Sequence, residues 1–185
     1  MNFNPAEKQP RKQLRMFGFD YKTPGYYFVT LCTNDRACLF GEVLNGEICL
    51  NAAGKMIENV WRGISERYTG WSVDTLIVMP NHVHAIILFC DKLSDKLTQR
   101  PATLSLPELM RNVQSYTMTC YRHGVYTKNW LEFHRYLWQR SYYEHVIRNE
   151  NSLENIRNYI VNNPAQWELD EDNPANAGAG HSITG

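Results

Sequence analysis

Two apolar runs meet at residues 80 and 81 with almost nothing between them. WSVDTLIVMP (residues 71–80) and HVHAIILF (residues 82–89) are both rich in β-branched and aromatic side chains, the composition of strands. A connection as short as Pro80-Asn81 cannot carry a crossover, so the two runs must be antiparallel neighbours in one sheet. Pro80 fits at a strand entrance, where a missing donor is tolerated. Within the second run, residues i and i+2 share a face. His82 and His84 therefore lie side by side, with Val83 on the opposite face. Two imidazoles so placed either share one divalent ion or hydrogen-bond to a polar sheet face.

The rest of the chain fits around this pair of strands. GYYFVTLCT (residues 25–33) reads as a first strand. Residues 37–51 carry Asn45-Gly46 between two apolar runs, a hairpin signal. Met56, Val60 and Ile64 stand four apart and predict a helix over 52–68. Ser105, Pro107 and Glu108 form a capping-box pattern that opens a second helix, with Leu109, Val113, Tyr116 and Cys120 as its stripe towards Gly124. Residues 136–147 read as a further strand. Residues 151–163 read as a last helix with Ser152 as its cap, Leu153, Ile156 and Ile160 buried, and Pro164 as its stop. With the hairpin set aside the order is βαββαβ plus a terminal helix. That order predicts an α+β fold of the ferredoxin-like kind: one antiparallel sheet with helices on one face, an added hairpin, and a C-terminal helix that carries Tyr159.

Composition narrows the function classes. With 185 residues and 43% hydrophobic content the chain can bury one core. No run approaches the ~18 apolar residues of a membrane span, and the start has no apolar signal core, so a cytoplasmic protein is expected. Five cysteines without a CxxC argue against a disulfide framework or a cysteine zinc knuckle. Net charge is zero, but residues 1–165 hold all 19 basic side chains against 15 acids, a balance of +4. Lys8, Arg11, Lys12 and Arg15 crowd a basic arm over residues 1–24, which either contacts phosphates or is a solvated terminus. Residues 25–167 are expected to form the folded domain, and 168–185 an acidic, disordered tail.

Four segments in order, YYFVTLCTNDRACLFGEV, MPNHVH, WQRSYYEHVIRN and NYIVNNP, resemble those of the REP-associated tyrosine transposases, within the single-tyrosine HUH (IS200-like) transposase superfamily. The resemblance covers about residues 12–167. It implies that His82 and His84 ligate a divalent metal, Mg²⁺ or Mn²⁺, and that Tyr159 is the nucleophile. It places Asn163 as a third, polar ligand on the same helix face as Tyr159. Glu144 and His145 match a recurrent "EH", with support of the site or DNA contact as their expected role. Tyr142 and Tyr143 are decoys for the nucleophile. Gln114 departs from the pattern, standing where relatives often carry lysine. The implied activity is metal-dependent nicking and joining of single-stranded or hairpin (REP-type) DNA through a 5′-phosphotyrosine, by a monomer or a homodimer. The alternatives are a domesticated protein that binds DNA hairpins without cutting them, and an unrelated ferredoxin-like enzyme that uses the histidines with another metal.

Overall fold

The structure, a computed structural model, describes residues 20–90 and 104–176. The basic side chains Lys8, Arg11, Lys12 and Arg15 lie outside the described residues. In chain order the elements are β1 (Gly25–Cys32), β2 (Gly41–Leu44), β3 (Glu47–Leu50), α1 (Ala52–Arg62), α2 (Ile64–Arg67), β4 (Trp71–Val78), β5 (His82–Phe89), α3 (Leu106–Lys128), β6 (Tyr143–Ile147) and α4 (Glu150–Asn162). The main sheet runs β4-β5-β1-β6 and every pairing is antiparallel. This is the strand order of the split βαβ fold expected from the sequence. No helix among the described residues is long and apolar enough to cross a membrane.

Local chemistry sets the joints. The turn between β4 and β5 closes with the Met79 amide donating to the His82 carbonyl at 2.8 Å. The small β2–β3 hairpin turns at Asn45 and Gly46, with φ of 53° and 78°, the left-handed pair that a two-residue turn of this twist requires. Asn51 caps α1 by accepting from the Gly54 amide at 2.9 Å. Only a glycine fits at 54, because a Cβ there would lie 2.1 Å from the Phe40 carbonyl oxygen. Ser105 and Glu108 form the capping box of α3 as expected.

Several expectations need correction. The helix predicted over 52–68 breaks at Gly63 into α1 and α2. The buried stripe of α3 is Leu109, Val113, Thr117 and Tyr121, whereas Tyr116 is 43% exposed. The two stripes coincide through Val113; beyond it the buried positions advance by four to Thr117 and Tyr121, where the expected stripe advanced by three to Tyr116, so the faces differ by one position. Only residues 143–147 of the predicted 136–147 strand pair along the sheet. Residues 137–139 instead cross the end of β1, where Trp138 bridges Thr33 and the Gln139 amide donates to the Cys32 carbonyl at 2.9 Å. The cap of α4 is Asn149, which accepts from the Ser152 amide at 2.8 Å, so the helix begins one residue earlier.

The helices also occupy both faces of the sheet. Val83, Ala85, Ile87 and Phe89 pack with α1 and α3 in the larger core. Phe28, Ile86 and Ile147 pack with Leu153, Ile156 and Ile160 of α4 on the other side. The run AIILF in β5 lacks polar alternation because both of its faces are covered. The acidic segment expected to be disordered is folded through Asn176. It forms 3₁₀ turns at Pro164–Leu169 and Pro174–Asn176, and Asp172 is buried. Its turns are tied by their own side chains: Asn173 donates to the Trp167 carbonyl and Asn176 to those of Glu168 and Asp170. Such local bonds leave no periodic signature in a sequence.

Candidate active site

His82 and His84 are fully buried on the α4 face of the sheet, with ring centroids 4.5 Å apart. Their orientation follows from what holds each Nδ1. The Asn81 amide nitrogen donates to the carbonyls of Asp172 (2.7 Å) and Arg36 (3.0 Å). This leaves the Asn81 Oδ1 as an acceptor, and it lies 2.9 Å from His82 Nδ1. His82 therefore carries its proton on Nδ1 and presents the Nε2 lone pair. His84 Nδ1 lies 2.8 Å from the Thr30 hydroxyl, its register partner on β1. Both rings thus turn Nε2 away from these Nδ1 partners.

On the facing helix, Tyr159 stands with its hydroxyl 3.4 Å from His84 Nε2. Its ring packs edge-on against His84 and Phe28. It is half-buried, so the phenol is neither sealed in the core nor fully in solvent. The helix is hung on the sheet by Arg157, whose guanidinium makes two bonds to the Asp74 carboxylate, at 2.6 and 3.0 Å. Asp74 occupies an irregularity in β4, where the register with β5 shifts.

The third partner, an acidic one, comes from the folded acidic segment. Asp170 offers a carboxylate oxygen, and this atom and one nitrogen from each of His82 and His84 all lie within 4.8 Å of one another. Asn163 is beside it, its amide nitrogen 3.4 Å from Asp170 Oδ2, and its buried Oδ1 has no hydrogen-bond partner among the described residues. Asp170 escaped the sequence reading. It is one of four acids over residues 168–172 with no spacing to mark it, and only the fold of that segment singles it out.

The other expected residues are placed as follows. His145 pairs with Phe28 on the α4 face, and burial, then the nearby Arg148 charge, push its pKa below the usual histidine value. Glu144 pairs with Val29, a residue of the larger core, and so lies on the opposite face from the imidazoles. Tyr142 packs against that larger core, and Tyr143 packs edge-on against Phe28.

A family model described as "Transposase IS200 like" matches residues 23–163, a span that contains both histidines, Tyr159 and Asn163. The chain belongs to the IS200-like transposase family. An uncharacterized protein of Haemophilus influenzae is 33% identical over 168 residues, covering 87% of this chain and 92% of that one. Among solved structures, a REP-associated tyrosine transposase bound to a REP hairpin superposes with a TM-score of 0.52 at 17% identity, covering 84% of this chain and 73% of that one. At that identity the likeness is one of fold. For this IS200-like transposase, the donor set fits a divalent ion. Two imidazole nitrogens and a carboxylate oxygen converge from β5 and the segment after α4, and Asn163, whose buried amide oxygen has no hydrogen-bond partner among the described residues, stands beside that carboxylate.

Proposed function

We propose that this transposase nicks and rejoins single-stranded DNA at hairpins, through a covalent bond to Tyr159, with a divalent ion held by His82, His84 and Asp170. Asn163 is a further oxygen donor to the same ion. The observation that carries the reading is the approach of the Tyr159 hydroxyl to 3.4 Å from His84, within a nest of metal-type donors. The mixed nitrogen and oxygen set suits Mn²⁺, and Mg²⁺ less tightly because it prefers oxygen. When bound, the ion would supply Lewis-acid polarisation of a phosphate oxygen and neutralise its charge.

The chain's own residues do the rest. Phe28 and the α4 backbone hold the phenol in one orientation against the imidazole pair, so attack on a bound phosphate needs little rearrangement. The Tyr159 oxygen bonds to phosphorus, and the bond from phosphorus to the 3′ oxygen breaks. The proton lost by the phenol balances the one gained by the leaving 3′ oxygen. The products are a 5′-phosphotyrosine and a free 3′ hydroxyl, and the phosphodiester energy is kept for rejoining. Single-stranded DNA suits a phosphate site on a sheet face, because an extruded backbone can reach it. The hairpin of the similar REP-associated enzyme is the first substrate to try. The test is incubation with Mn²⁺ and a labelled single-stranded stem-loop oligonucleotide. A protein–DNA adduct is expected with the native chain and none with Tyr159→Phe. An adduct that survives Tyr159→Phe, or none with the native chain, overturns the reading.

A further inference from the structure

Across the sheet from the imidazoles, α3 carries a second set of residues that the proposed chemistry does not use. Arg111, Ser115, Met118, Arg122 and Tyr126 recur at three- and four-residue spacing and so line one face of that helix over about 22 Å. Facing them is the irregular segment between α3 and β6. Two cavities lie between helix and segment, of about 810 and 340 Å³, and Arg135 lines both. The larger also has Arg111 and Arg140 on its walls, Met118 and the buried Trp138 on its floor, and Tyr136, which is 59% exposed. Trp138 is fixed by donating from its indole nitrogen to Thr117 at 2.8 Å.

Three features of this groove point to a ligand. In a chain of zero net charge, Arg111, Arg135 and Arg140 face Asp35 on the walls of the larger cavity, and Arg122 and Arg135 face Glu132 in the smaller, an excess of cations along the groove. Arg135 and Arg140 form no ion pair among the described residues. Asp35 and Arg135, on the rim, both have positive φ (55° and 59°), a conformation that non-glycine residues adopt at a cost and that clusters at binding sites. Forked cations alternating with exposed aromatic rings match a sugar-phosphate backbone with unstacked bases.

The groove joins the candidate active site at the end of β1. The Gln139 amide on its wall bonds the Cys32 carbonyl, and Cys32 is the register partner of His82. The Thr33 amide bonds the Asn81 carbonyl at 2.8 Å. We infer that the groove between α3 and residues 132–140 binds the single-stranded DNA that flanks a hairpin, leading it round the end of β1 to the phosphate site. The inference rests on the DNA-processing reading above. Arg111, Arg135 and Arg140 take phosphates, and Tyr136 takes a base on its ring.

The test uses the full chain with Tyr159→Phe, so that binding is read without cleavage. Two probes are compared by fluorescence anisotropy: a blunt stem-loop, and the same stem-loop with roughly eight random unpaired nucleotides at one end or the other. Arg111→Glu with Arg140→Glu is expected to weaken binding of the extended probe by about tenfold or more, and of the blunt probe by less than about twofold. Tyr136→Ala should cost the extended probe about tenfold. Ser115→Lys, which adds a cation to the same helix face, should tighten it by about two- to threefold. Equal losses on both probes, or extended-probe affinities within about twofold of the parent for all three variants, overturn the groove. In the second case, a native chain that still forms the Tyr159 adduct leaves the nicking reading standing. A parent that binds neither probe overturns both.

Discussion

Asn81 spends both donor hydrogens on backbone carbonyls and its one side-chain oxygen on His82. It thereby sets the tautomer of a proposed ligand without touching the ion. Partners of that kind typically change metal affinity by about 10–100-fold when removed. Asn81→Ala and Asp170→Asn are both expected to weaken Mn²⁺ binding by about that factor, measured by titration calorimetry. Unchanged affinity in Asp170→Asn would leave Asn163 as the third ligand. At this scale the sequence was informative where chemistry follows from spacing. Two histidines at i and i+2 on a strand must share a face, and they do. The placement of Tyr159 against them came from the family resemblance, since nothing in the helix pattern separates it from a packing tyrosine. Asp170 was invisible because its position depends on turns closed by Asn173 and Asn176, which no periodicity announces.

At the scale of elements, α4 matters most, because it delivers Tyr159. Its apolar stripe of Leu153, Ile156 and Ile160 was legible at helical spacing. The face it covers was not, because the order of strands and helices does not say on which side a terminal helix docks. The unbroken apolar run of β5 was the available sign. The Arg157–Asp74 pair is a polar anchor of the helix on the sheet. The hydrogen bonds from Arg157 hold the Asp74 carboxyl below the usual carboxylate range. A depressed folded-state pKa means that the native state resists protonation. The pair's contribution is therefore complete above the unfolded value of about 3.9 and is lost as pH falls through the folded value. Asp74→Asn should lower Tm near neutral pH by about 1–4 °C, equivalent to about 0.5–1 kcal/mol for a partly exposed pair. The gap between variant and native chain should close as pH falls below the unfolded value of about 3.9 and through the lower folded value. Melting curves across that range check it, and a gap that widens on acidification would contradict the assignment.

For the molecule as a whole, the geometry bears on how many chains one reaction needs. Asn81, His82 and His84 enter from β5 and the turn before it, Tyr159 and Asn163 from the end of α4, and Asp170 from the segment that follows, all within one chain. The α4 face is already filled by its own sheet, through Phe28, Ile86 and Ile147, so the helix is not left seeking a partner's surface. A helix exchanged between copies would have to give up that apolar packing and the Arg157–Asp74 pair together. A single chain should therefore nick DNA by itself. The expectation can be tested by mixing two inactive variants, His84→Ala and Tyr159→Phe. If each chain builds its own site, the mixture forms no adduct with the stem-loop oligonucleotide at any protein concentration. Helix exchange would instead let the tyrosine of one variant meet the imidazoles of the other. Adduct would then return, at up to about a quarter of the native yield for random pairing with one restored site per mixed dimer.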